Sequence, residues 1–124
     1  MTLKELTEAA GALDELMRVS GLPMKTALEI VRLADSIETE RRFFADELDR
    51  IAREYGTADE TGAYVVEAAS LDGERRERFL REYEELCSIE VDTPDRKIII
   101  PGSAQGLTPK SLMALREFVE VADR

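Results

Sequence analysis

The side chains whose types and spacing suit chemistry are carboxylates and a single thiol. Asp46-x-x-Asp49 and Glu82-x-x-Glu85 each set two acids about one helical turn apart, and on neighbouring helices such pairs can supply clustered oxygen ligands to Mg²⁺. Asp59-Glu60-Thr61-Gly62 gathers acidic oxygens in a turn, but it is too short to match the calcium loop of an EF-hand. Cys87 is the only cysteine, so no intrachain disulfide forms, and no histidine exists to activate it as a nucleophile. The missing histidine also removes the commonest general base and excludes the Glu-x-x-His pattern of di-iron helical proteins. The glycine-containing loop Pro101–Gly106 lacks the terminal Gly-Lys-Ser/Thr of a phosphate-binding loop.

The elements that carry these groups decide what they can do, and the stretch from Pro23 to Tyr55 dominates them. Apolar residues recur there at alternating spacings of three and four, a heptad with Ala27, Ala34, Arg41, Leu48 and Tyr55 at a and Ile30, Ile37, Phe44 and Ile51 at d. The pattern predicts a helix over 23–55, about 50 Å long. In that register Asp46 falls at f and Asp49 at b, pointing away from the core, so a solvated face is the expectation. Glu38 with Arg42, Asp46 with Arg50 and Asp49 with Arg53 are spaced i,i+4 in the acidic-first order that supports an exposed helix. Cys87 falls on an apolar helix face and reads as a buried structural thiol. No catalytic residue, metal ligand or cofactor is assigned.

Thr2 and Glu5 have capping-box spacing, which predicts a first helix over 3–20 with Leu3, Leu6, Leu13, Leu16 and Met17 on one face. Ser20-Gly21-Leu22-Pro23 ends it, and so short a connection forces an antiparallel hairpin with the long helix. Thr57–Ser70 carries turn chemistry and the β-prone run Tyr64-Val65-Val66, consistent with a loop bearing a small strand or hairpin. Asp72 reads as an N-cap for a helix over 73–87, suited to covering the second half of the long helix. Ile89–Asp92 and Lys97–Ile100 flank Thr93-Pro94-Asp95-Arg96, which predicts a β-hairpin over 89–100. Thr108-Pro109 opens a last helix over 109–122 with Leu112, Leu115, Val119 and Ala122 buried. The expected fold is a single mainly α domain: a long-helix antiparallel hairpin, two further helices and a small β-hairpin.

The totals agree with that reading. Of 124 residues, 44% are hydrophobic but only 6% aromatic, so the core must be built from aliphatic side chains on helices. The formal charge of −10 repels a phosphate backbone, so direct nucleic-acid binding is not expected. The longest purely aliphatic run is Ile98-Ile99-Ile100, and no signal peptide or membrane span is expected. A cytoplasmic setting follows.

The order of signals resembles a family of small bacteriophage and prophage proteins of unknown function. The likeness is carried by Leu22-Pro23-Met24-Lys25-Thr26-Ala27, Glu54-Tyr55-Gly56, the acidic turn at Gly62, Glu84-Glu85-Leu86 leading into Ile89-Glu90-Val91, and Leu107-Thr108-Pro109-Lys110-Ser111-Leu112-Met113-Ala114-Leu115. It spans nearly the whole chain. The resemblance implies a phage or prophage origin in a bacterial host, and it brings no activity and no catalytic residues. The chain departs from lysine-rich members of that family in its arginine-rich basic set and its lack of histidine.

Arg41 is the one charged residue on the seam, where a charge is costly unless paired. Either Glu5 or Glu8 of the first helix neutralises it, or Arg41 marks where cover by this chain ends and a partner begins. Phe43, off the seam at c, either belongs to the same surface or packs under a loop or the last helix. Leu33 adds apolar area beside the seam. Leu33, Arg41 and Phe43 are the candidate partner-binding residues. The expected function is non-enzymatic, an interaction or assembly protein presenting its long amphipathic helix to a protein partner or to another copy, as a homo-oligomer. The second reading is an acidic, nucleic-acid-mimicking inhibitor of a host DNA-binding protein. The third rests on the paired acids, which resemble those of Mg²⁺-dependent all-α nucleotide pyrophosphohydrolases.

Overall fold

The computed structural model describes residues 1–104 and 106–122. Their order is α1 (Leu3–Leu16), α2 (Met24–Tyr55), β1 (Thr57–Ala58), β2 (Tyr64–Val65), a 3₁₀ turn at Ala68–Ser70, α3 (Gly73–Ser88), β3 (Ile98–Ile100), α4 (Pro109–Ala114) and β4 (Val119–Val121). The fold is mainly α, as the periodicity predicts. Among the described residues no helix is long and apolar enough to cross a membrane.

α1 begins with the capping box: the Thr2 hydroxyl accepts from the Glu5 amide at 3.2 Å, and the Glu5 carboxylate accepts from the Thr2 amide at 3.0 Å. It buries Leu3, Leu6, Ala9, Ala10, Leu13 and Leu16 and packs most extensively against α2. The helix stops at Leu16, short of the expected Ser20, and Gly21 takes a positive φ of 82° within the connection. α2 matches its expected span, beginning just after Pro23 and stopped by Gly56. Gly56 is required by crowding, since an added Cβ would collide with the Val65 and Ala52 carbonyl oxygens.

β1 and β2 form the small antiparallel hairpin expected in the acidic loop, pairing Thr57 with Val65 and Ala58 with Tyr64. α3, capped by Asp72 on the Arg75 amide at 2.8 Å, covers the second half of α2. Phe79 lies 5.6 Å from Tyr55 between ring centroids, and Leu86 is buried.

The β-hairpin expected over 89–100 does not form. Ile98–Ile100 instead runs parallel to Val119–Val121, with Ile98 opposite Val119 and Ile100 opposite Val121. Glu90 forms an antiparallel bridge with Thr2, where the Leu3 amide donates to the Ile89 carbonyl at 2.7 Å and the Val91 amide to the Met1 carbonyl at 2.9 Å. The start of α1 leaves amides without intrahelical partners, and the end of α3 supplies one of the acceptors. That demand outcompetes the local turn. The last helix is corrected likewise: it ends at Ala114 rather than 122, because Val119–Val121 completes the ladder for Ile98 and Ile100. Phe118, buried between these two elements of structure, anchors the turn from α4 into β4 together with Leu115.

Candidate interaction surface

The surface is set by which side of α2 this chain covers. All four d residues, Ile30, Ile37, Phe44 and Ile51, are buried. Of the a positions only Tyr55 is buried; Ala34 and Arg41 are half-buried, and Ala27 and Leu48 are exposed. The cover has shifted around the helix, taking in Leu33 and leaving the opposite side open.

On that open side stand Met24, Leu28 and Val31, with 90%, 49% and 42% of their surfaces exposed. Their spacing of four and three places them in one stripe. Met17, in the segment before α2, is also exposed and shares a small cavity with Val31. Lys25 and Asp35 flank the stripe toward its two ends and make no ion pair among the described residues.

The three residues expected to meet a partner separate. Phe43 is 49% exposed, with its ring open to solvent. Arg41 pairs with Asp14 at 3.2 Å, not with Glu5 or Glu8, because Glu5 is committed to Thr2 and to Arg116 at 3.6 Å. Leu33 is corrected from a partner-facing residue to a core residue, 9% exposed. Met24 was not singled out by sequence reasoning. The signal for it was the i, i+4, i+7 repeat of Met24, Leu28 and Val31 on the side away from the heptad seam.

Of the paired acids, Asp49 and Glu82 stand against arginines, as do their neighbours Glu47 and Glu54, whereas Asp46 and Glu85 make no ion pair among the described residues. Asp49 accepts from Arg53 at 2.8 Å, Glu47 from Arg50 at 2.9 Å and Glu54 from Arg50 at 3.1 Å, and Glu82 stands 3.9 Å from the same guanidinium. The hydrogen bonds to Glu47 and Asp49 hold the Arg50 and Arg53 pKa values above their ordinary value. Glu82 beside the Tyr55 hydroxyl raises the tyrosine's pKa, while Glu82 Oε2 is itself buried without a hydrogen-bond partner among the described residues. Asp59 is used within its own turn, accepting from the Thr61 amide at 2.8 Å, the Thr61 hydroxyl at 2.7 Å and the Ala63 amide at 3.1 Å. Among the described residues no three acids or cysteines gather as a metal site would.

No family model, no curated protein and no solved structure matches the chain.

Proposed function

We propose that this is a non-enzymatic interaction protein, and that α2 presents the Met24–Leu28–Val31 stripe to a second copy of the chain. The observation that carries the reading is an apolar stripe on the side of the longest helix opposite its buried face. The repeat suits a second copy as the occupant: an antiparallel two-fold arrangement centred between Glu29 and Ile30 brings Leu28 against Val31 of the second copy, twice.

The acidic-mimic reading draws less support from this surface. A mimic needs rows of free carboxylates, and Arg50 and Arg53 neutralise the row on the second half of α2. A phage or prophage origin, and with it a bacterial cytoplasmic setting, belongs to the same proposal and rests on the likeness of the segments quoted above.

Light scattering across a dilution series tests the reading. A dimer that persists or tightens at high salt, and that Leu28→Glu converts to monomer, is the expected result, because salt screens the repulsion between two chains of charge −10. A strict monomer at every concentration would remove the second copy as the occupant.

A further inference from the structure

A cleft of about 540 Å³ runs along α2 on the side away from the stripe, closed by the segment 91–96 and by β3. That volume lies within the range of small-molecule sites. Its base is apolar, built from Leu6, Leu33, Ile37, Ile98 and Phe118. Charges of both signs ring it: Glu29 and Glu40 on the α2 wall, Arg32 and Arg96 at the mouth. None of these four makes an ion pair among the described residues.

Glu40 is the informative member. Its Oε2 is buried and has no hydrogen-bond donor among the described residues. A carboxylate oxygen held in that state costs free energy that a donor entering the cleft recovers. On α2, Glu38, Glu47, Asp49 and Glu54 meet arginines about one turn away, whereas Glu40 has Phe43 and Phe44 at i+3 and i+4. No arginine of its own helix is placed to satisfy Glu40, so its buried oxygen is left for a donor from outside the helix.

We propose that the cleft binds a small zwitterion with an apolar body, of the α-amino-acid type. Its ammonium group meets Glu40, its carboxylate meets Arg96 or Arg32 at the mouth, and its side chain lies on the Leu33–Ile37–Phe118 base. An ammonium donates hydrogen bonds that a carboxylate accepts, and a guanidinium binds a carboxylate through two parallel donors. The proposal is independent of the stripe on the opposite side of α2.

Titration of the ¹⁵N-labelled full chain by NMR, with L-phenylalanine, phenethylamine and 3-phenylpropionate as probes, tests it. Phenylalanine is expected to give saturable shifts at cleft residues. Phenethylamine, which lacks the carboxylate, binds more weakly, and 3-phenylpropionate, which lacks the amine, binds more weakly still. Glu40→Gln is expected to weaken phenylalanine at least tenfold. Arg96→Ala, on the exposed loop, weakens phenylalanine but leaves phenethylamine unchanged, and so keeps the test usable if the α2 variant unfolds. Absence of saturable shifts with phenylalanine overturns the proposal. So does binding of 3-phenylpropionate as tight as that of phenylalanine, or an affinity for phenylalanine that neither substitution moves.

Discussion

The backbone amide of Leu3 donates to the carbonyl of Ile89 at 2.7 Å, so the exit of α3 caps the entry of α1. The adjoining bond from the Val91 amide to the Met1 carbonyl locks the two segments in antiparallel register. Proline at position 91 has no amide to donate. Val91→Pro is expected to cost about 1–3 kcal/mol, read as a lower midpoint in urea with an unchanged slope. Full stability in that variant would show that the bridge contributes nothing.

Arg41 and Asp14 are each about half exposed, so their pairing contributes little by itself. A double-mutant cycle with Arg41→Ala and Asp14→Ala is expected to give a coupling of at most about 1 kcal/mol. Coupling that appears only at concentrations where the chain associates would move Arg41 from an internal contact to a partner contact.

Phe118 is 1% exposed and joins the turn after α4 to the base of the cleft. Phe118→Ala is expected to cost about 3–5 kcal/mol through lost burial and the cavity left behind. Met113, which is 68% exposed, serves as the contrast, and Met113→Ala is expected to stay within about 0.5 kcal/mol of the parent. Thermal melts of the two variants should separate clearly.

Glu5 and Asp59 both have lowered pKa values, the first through the Thr2 amide and the second through the Thr61 hydroxyl. A carboxylate whose folded pKa lies below its unfolded value contributes stability above the unfolded pKa and loses it as pH falls through the folded one. Stability is therefore expected to drop on acidification below the ordinary carboxylate range. Glu5→Gln should flatten part of that drop, and a limb of unchanged steepness would remove Glu5 as its source.

Local signals found most of the helices. Pro23 and Gly56 punctuate α2 to within a residue, Thr2 and Glu5 locate the start of α1, and Asp72 and Thr108 locate the starts of α3 and α4. The errors fall where two local patterns compete and a distant residue decides. Leu112, Leu115 and Val119 continue a helical stripe, yet Val119-Glu120-Val121 also alternates as a strand, and the need of Ile98 and Ile100 for a ladder settles it. The Thr93–Arg96 turn fits a hairpin, but the amides at the start of α1 claim the end of α3 first. Leu33 looked open because its cover, Phe118 and Ile98, arrives from residues far along the chain. The stripe of Met24, Leu28 and Val31 lies off the heptad seam, and only the packed structure showed which side stayed uncovered.

The parallel pairing of β3 with β4 bears on how the chain is made. α1 and α2 leave the ribosome well before residues 89–91 that fasten α1, so Leu6, Ile30, Ile37 and Phe44 lack their full cover at that point. β4 is made after β3, so β3 emerges as an unpaired strand of three isoleucines until Val119–Val121 follows. The nascent chain is thus most adhesive between the synthesis of β3 and that of β4, when a helper that shields apolar segments has most to do.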